Sequence, residues 1–262
     1  MTERSLNWKT TLTLLFFLMI LSRDVIPANN YPEWFIYPQE YPELIIGYSY
    51  GGLSAKEDAA YMYCIYKDCI AEGRLEIFDV SGSNDLLKNS NYYYYFSDDS
   101  VSSIEKQLKL VEKFDINILT GDYIGAFTLD TITTQKAPRI QVKAIKKPEW
   151  IAKTFYQDDQ YYYGVGMYTA QGRENDGWKT AEEQAVFSIL NNLAVEVHKI
   201  NLLAEENTDI LSLESMEEIT FIRIYYNMQN INIIQRYPDL KNKLYYALAR
   251  ISKSDLYSPM LK

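Results

Sequence analysis

The sequence predicts an α+β protein of two tandem related domains, each a small, mainly antiparallel sheet with a long helix and a shorter helix packed on one face. Three observations predict it. A Pro-Glu-Trp triplet opens two similar stretches, at Pro32-Glu33-Trp34 and at Pro148-Glu149-Trp150. In each stretch a short glycine-containing run precedes a segment with apolar residues every three or four positions, the change of period that separates strand from helix. Tyrosine is abundant, at 24 residues, and tyrosine favours half-buried sheet.

The elements follow in chain order. Residues 1–28 have the form of a secretory signal peptide: Arg4 and Lys9 precede the apolar run Thr10 to Leu21, and a polar stretch with Ala28 follows. A lipid-anchored bacterial protein carries a cysteine just after such a run. The first cysteine here is Cys64, so no lipid anchor is expected, and the predicted location is periplasmic or extracellular. Residues 29–145 form the first, divergent repeat domain and residues 146–262 the second, with the boundary near Lys143 to Lys147.

In the first domain, Leu44 to Gly51 reads as a strand. Ser54 to Glu57 fits a capping box and starts a helix whose face is Ala59, Met62, Ile65, Tyr66, Cys69 and Ile70. Leu75 to Phe78 reads as a strand. Ser100 to Phe114 reads as a second helix, with Val101, Ile104, Leu108 and Val111 on one face. Asp115 to Leu119 and Ile124 to Leu129 flank Thr120-Gly121-Asp122 as a hairpin. In the second domain Tyr161 to Tyr168 is the matching strand. Thr180 to Glu183 is a second capping box, and the helix starts there or near Asp176 to Trp178. Its buried face is Ala181, Ala185, Ile189, Leu193, Val197 and Ile200. Leu213 to Tyr226 takes the place of the second helix. Asn230 to Arg236 and Leu244 to Ile251 form the closing hairpin. The strand glycines Gly47, Gly164 and Gly166 mark bulges or the close approach of another backbone.

Self-similarity joins these elements. The two tryptophans of the Pro-Glu-Trp triplets, and the pairs Ile116-Asn117 and Ile231-Asn232, are each separated by about 115 residues,. The set of Pro32, Trp34 and Gly47 with the Ile116 to Leu129 hairpin, repeated as Pro148, Trp150, Gly164, Gly166, a helix through Ala185 and Ala194, and Tyr245 to Leu248, resembles the Lpp-twenty family of small bacterial envelope lipoproteins. It is also similar to the N-terminal domain of the flagellar T-ring assembly protein. The resemblance implies an exported envelope protein with an α+β fold and no established enzyme activity. The missing lipidation cysteine and the presence of two copies depart from the family pattern.

The residues offer little for catalysis. His198 is the single histidine, placed near a helix end where the dipole favours a protonated ring. Two cysteines and one histidine do not make a zinc site. On one helix Cys64 and Cys69 point about 140° apart, so they are expected as buried thiols rather than a mutual disulfide. Asp98-Asp99 and Asp158-Asp159 lack the spacing of a calcium loop. Gly164-Val165-Gly166 is followed by Thr169 where a dinucleotide fingerprint needs glycine. The net charge of −9, without a basic stripe, argues against nucleic acid. No cofactor or metal is expected.

Tyr92 to Tyr95 is the most distinctive run. Alternate rings of a strand face opposite sides, so half of them would pack on helices and half would be offered to solvent. With Trp178 these tyrosines form the candidate interaction surface. The expected function is a non-enzymatic scaffold or protein-interaction role in the cell envelope, through an envelope protein partner or self-association. The alternative is a small-molecule or glycan-binding module using the tyrosine-rich surface or the groove between domains.

Overall fold

Residues 31–50, 52–79, 86–117, 119–129, 145–169, 171–206 and 218–257 are described by a computed structural model. The predicted signal peptide lies outside these residues, as do Lys143 at the predicted boundary and residues 213–217. Side chains of 195–206 and 218–222 are also outside them.

The first half runs α1 (Glu33–Ile36), β1 (Ile45–Tyr48), α2 (Ala55–Lys67), β2 (Asp68–Asp79), β3 (Leu86–Tyr95), α3 (Asp98–Gln107), β4 (Lys109–Asn117) and β5 (Asp122–Thr128). The second half runs β6 (Phe155–Gln157), β7 (Tyr161–Thr169), α4 (Glu174–Glu206), β8 (Glu218–Gln229), β9 (Asn232–Asp239), β10 (Leu244–Ser252) and β11 (Leu256–Tyr257). All pairings are antiparallel. The sheets are ordered β1-β5-β4, β6-β7-β10-β9 and β11-β8-β2-β3. The fold is therefore a mixed helix and strand architecture with antiparallel sheets, as the sequence predicts.

Each helix that follows a glycine-bearing strand lies unusually close to it. A Cβ built on Gly47 would fall 1.9 Å from the Ala55 carbonyl oxygen, and one built on Gly166 would fall 1.9 Å from that of Ala181. The predicted close approach is thus the reason for these glycines, and Gly164 meets the Ala185 carbonyl in the same way. Alanines on the helix face complete the fit: Ala59, Ala181 and Ala185 have no exposed surface.

Ser54 caps α2 as expected, its hydroxyl accepting the Glu57 N–H at 3.1 Å. The Thr180 motif does not cap α4, which starts six residues earlier, at Glu174. The predicted helical face of α2 ends at Tyr66. Cys69 and Ile70 belong to β2, which begins directly after Lys67.

Two predicted helices are strands in part or whole. Helix α3 stops at Gln107, and Lys109 to Phe114 pair with β5. The segment predicted as helix from Leu213 to Tyr226 is instead β8 from Glu218 onward. There Ile224, Tyr226 and Met228 are buried while Arg223 is exposed, a period of two that a helix cannot match.

The constant repeat offset also fails. Ile116-Asn117 closes β4, whereas Asn232 opens β9 with Ile231 in the turn just before it. These strands hold equivalent places in their sheets, but the two dipeptides sit at opposite ends of them. The Pro-Glu-Trp triplets differ as well. Trp34 is fully buried in the main core, while Trp150 is half-buried on the far face of the second sheet beside Val165, Ile234 and Leu248.

Strands β2 and β8 pair over twelve residues, from Asp68 opposite Gln229 to Asp79 opposite Glu218. The halves predicted as side-by-side domains thus share one sheet. They also share one core, in which Trp34, Phe35, Tyr48 and Met62 meet Trp178, Ile189, Met228 and Tyr245. Pro238 sits in β9, an edge strand, where its missing N–H is tolerated.

Gly166→Val is expected to destabilise the protein by about 1–3 kcal/mol or more through overpacking against α4. Gly172→Ala, which meets nothing within 4 Å, is expected to leave the urea midpoint unchanged. Urea unfolding of both variants beside the parent protein tests the close approach.

Candidate binding site

A cavity of about 220 Å³ lies between the halves. Its walls come from the loop around Pro38 to Leu44, from β1, from α2, and from the turn that joins β8 to β9. Its lining mixes aliphatic residues with tyrosines and with Lys67, Glu182, Asn230, Asn232 and Arg236.

Glu182 and Arg236 are each only 2% exposed. The Arg236 Nε–H donates to Glu182 Oε1 at 2.6 Å, and Nη1 donates to the Phe35 carbonyl at 2.6 Å. The guanidinium also lies 4.5 Å from the centre of the Phe35 ring. The Tyr48 hydroxyl donates to the same Glu182 Oε1, and the Tyr66 hydroxyl reaches Oε2 at 3.4 Å. Helix α4 thus holds one carboxylate against its own sheet through Arg236 and against the first half through two tyrosines.

One turn earlier on α4, Lys179 pairs with buried Asp58 of α2. Asp58 Oδ2 also accepts the Tyr48 N–H at 2.9 Å. The Lys179 ammonium lies 4.7 Å from the Tyr50 ring centre. Nearby, the Tyr31 hydroxyl donates to Glu174, and Asn175 Nδ2 donates to the Ser49 carbonyl at 2.7 Å. The interface between the halves is therefore polar as well as apolar.

Burial sets the electrostatics. It raises the Tyr48 and Tyr66 hydroxyls well above the ordinary tyrosine value, and Glu182 adds to the shift. Burial pushes the Asp58 carboxyl up, with Lys179 pulling against it. For Lys179, burial acts to lower the value, but the Asp58 charge prevails and holds the ammonium above its usual range. For Arg236, Glu182 likewise overcomes the effect of burial.

The second candidate region is the open face of the β11-β8-β2-β3 sheet. The predicted alternation of the tyrosine run is observed. Tyr92 and Tyr94 turn inward and stack on Phe187 of α4, with centroids 5.3 and 6.4 Å away. Tyr93 and Tyr95 turn outward and are 45% and 48% exposed. Beside them Glu72 accepts from the Tyr95 hydroxyl at 2.6 Å and from Arg74 Nε at 2.8 Å, and pairs with Arg223, whose Nε lies 3.1 Å from Oε1. The Tyr95 hydrogen bond, with those arginines, lowers the Glu72 carboxyl below its ordinary value. Arg74 lies 4.6 Å over the Tyr93 ring. Arg74 and Arg223 face each other across β2 and β8, and Glu72 between them relieves the repulsion of like charges.

The other predicted residues divide clearly. Trp178 is fully buried, edge-on to Phe35 at 5.1 Å, so it packs the core and adds nothing to the surface. Pro32, Trp34, Gly47, Gly164 and Gly166 are buried, and Pro148 and Trp150 half-buried. The Trp150 Nε1–H donates to Gln235 at 2.7 Å. Cys64 and Cys69 are buried thiols without a disulfide, and burial pushes Cys69 up to about 12. Asp158 organises the turn before β7, accepting the Gln160 and Tyr161 N–H groups at 2.8 and 2.7 Å. His198 falls within α4, about two turns before its end,, with its side chain outside the described residues. Among the described residues no group of His, Cys, Asp and Glu is placed to hold a metal ion.

The sequence reading missed Glu182, Arg236, Asp58 and Lys179. A weak signal was present: charged residues interrupt apolar positions at Lys179 and Glu182 in a helix that is otherwise buried on several sides. Comparison with known proteins finds no matching family model and no matching solved structure.

Glu182→Gln is expected to cost about 3–5 kcal/mol, because it leaves the Arg236 charge buried without its counter-ion. Chemical denaturation of the variant measures this directly. The buried tyrosines set the alkaline limit. Their folded values lie above the unfolded value of about 10, so their contribution is intact below about pH 10 and is lost as pH rises toward the folded values. Tyrosinate absorbance is expected to appear together with loss of the folded circular dichroism signal.

Proposed function

We propose that this protein is a non-enzymatic interaction protein of the bacterial cell envelope, exported by its N-terminal leader. The observation that carries the reading is the open face of the central sheet. Tyrosine and arginine are enriched at the cores of protein interfaces. Here two exposed tyrosines and two arginines lie on a face to which both halves contribute strands. A rigid, shared sheet presents these groups in fixed positions, which limits the ordering cost of binding. The partner is an envelope protein or a second copy of the chain.

Two tandem related α+β units underlie this reading. The matching orders β1-β5-β4 and β7-β10-β9 support it, as does the recurrence of a strand glycine against helix alanines in each half. The resemblance to the Lpp-twenty family points the same way for location and for the lack of catalysis. No helix among the described residues is long and apolar enough to cross a membrane.

A photo-crosslinking amino acid in place of Tyr93 is expected to form a discrete protein adduct in cells. The same probe at Leu119, which is 93% exposed on a distant turn, is expected to form none. Absence of an adduct at position 93, or equal adducts at both positions, would sink the reading. Arg223→Gln is expected to weaken the Tyr93 adduct while keeping the unfolding free energy within about 1 kcal/mol of the parent, the scale of losing one exposed ion-pair partner; urea unfolding of the variant checks this.

A further inference from the structure

The cavity between the halves combines an aliphatic wall with a partly engaged buried carboxylate. Leu44, Ile45, Ile46, Met62, Ile231 and Ile233 supply its apolar side. Glu182 lines the same space. Its two oxygens are unequally used. Oε1 accepts from both Tyr48 and Arg236. Among the described residues, Oε2 receives only the long 3.4 Å bond from Tyr66. A carboxylate oxygen has room for two acceptor bonds, so Oε2 retains capacity for a strong donor.

Charge decides which donor. Arg236 already neutralises Glu182 at 2.6 Å. An ammonium group entering the cavity would leave the buried site with net positive charge. A carboxylate would face the Glu182 charge, with only the solvent-screened Lys67 ammonium to offset it,. Either ligand would be desolvated with uncompensated charge, which is costly. Lys67 also lines the space, but it is exposed, where water screens its charge, and its Nζ donates to Asn230 at 2.7 Å,. A neutral hydroxyl or amide gains the vacant acceptor at no such cost, and its apolar body is matched by the wall.

We infer that this cavity is a binding site for a small uncharged amphiphile, an apolar chain ending in a hydrogen-bond donor that meets Glu182 Oε2. The site is separate from the sheet face, and neither proposal depends on the other. It uses residues of both halves.

The test uses the folded protein with labelled isoleucine and methionine methyl groups and three probes of equal length: 1-hexanol, hexanoate and hexylammonium. Saturable shifts of the Ile45, Ile46, Met62 and Ile231 methyl signals with 1-hexanol are expected. Hexanoate and hexylammonium are expected to bind at least about tenfold more weakly, a difference of about 1.4 kcal/mol. Unmoved signals with 1-hexanol, or a charged probe binding as well as the alcohol, overturn the inference. Ile46→Trp, which fills the wall, is expected to weaken 1-hexanol at least about tenfold with the far-ultraviolet circular dichroism spectrum retained. Equal affinity in that variant also overturns it. Should Ile46→Trp fail to fold, the three-probe comparison on the parent protein decides alone.

Discussion

The carboxylate of Glu182 is the point on which the arrangement of the two halves depends. A buried charge is tolerated only when it is paired and hydrogen-bonded. Arg236 of β9, Tyr48 of β1 and Tyr66 of α2 together meet that demand. Three elements that are remote in the chain are thereby brought to one atom group. Arg236 passes the constraint on to the N-terminal segment through the Phe35 carbonyl. One turn away, Lys179 and Asp58 repeat the device between α4 and α2. Mutual attraction alone would not make these ions stabilising, since desolvation opposes it. Their consequence is specificity: few other relative positions of the halves would satisfy all of these groups at once.

Helix α4 shows how one element serves two neighbours. Its Ala181 and Ala185 face lies against Gly164 and Gly166 of β7. Its Lys179 and Glu182 face meets the first half, and Phe187 carries Tyr92 and Tyr94. A helix buried on several sides has no single apolar stripe. The continuous pairing of β2 with β8 completes the junction. It also creates the outer face of Glu72, Arg74, Arg223, Tyr93 and Tyr95, which neither half would present alone. The two halves therefore share one sheet and one core among the described residues.

Much of the local structure was legible. Ser54 with Glu57, the strand glycines and the alternation of Tyr92 to Tyr95 each rest on contacts or geometry that sequence spacing expresses directly. The two closing hairpins were legible for the same reason, although Tyr237 to Asp239 belongs to a strand rather than to the turn. Lys109 to Phe114 was misread because Leu108 and Val111 extend the spacing of α3 while the chain has already turned to pair with β5. Short apolar spacings fit either period, and the partner strand settles the choice. The Ile-Asn coincidence misled for another reason: a dipeptide match carries no information about which end of a strand it occupies.

By itself the sequence determined the antiparallel α+β class, the strand glycines as places of a bulge or a close backbone approach, and the alternation of the tyrosine run, because these follow from repeat periods and side-chain size within one or two neighbouring elements. Only the tertiary structure decided that the halves share a sheet and a core, and that Glu182 faces Arg236, Tyr48 and Tyr66. Those partners are separated by 54 residues for Arg236 and by 134 for Tyr48. Many acids and bases in the chain have the chemistry to pair. Which of them do is fixed by where packing places them out of water, and no local spacing encodes that.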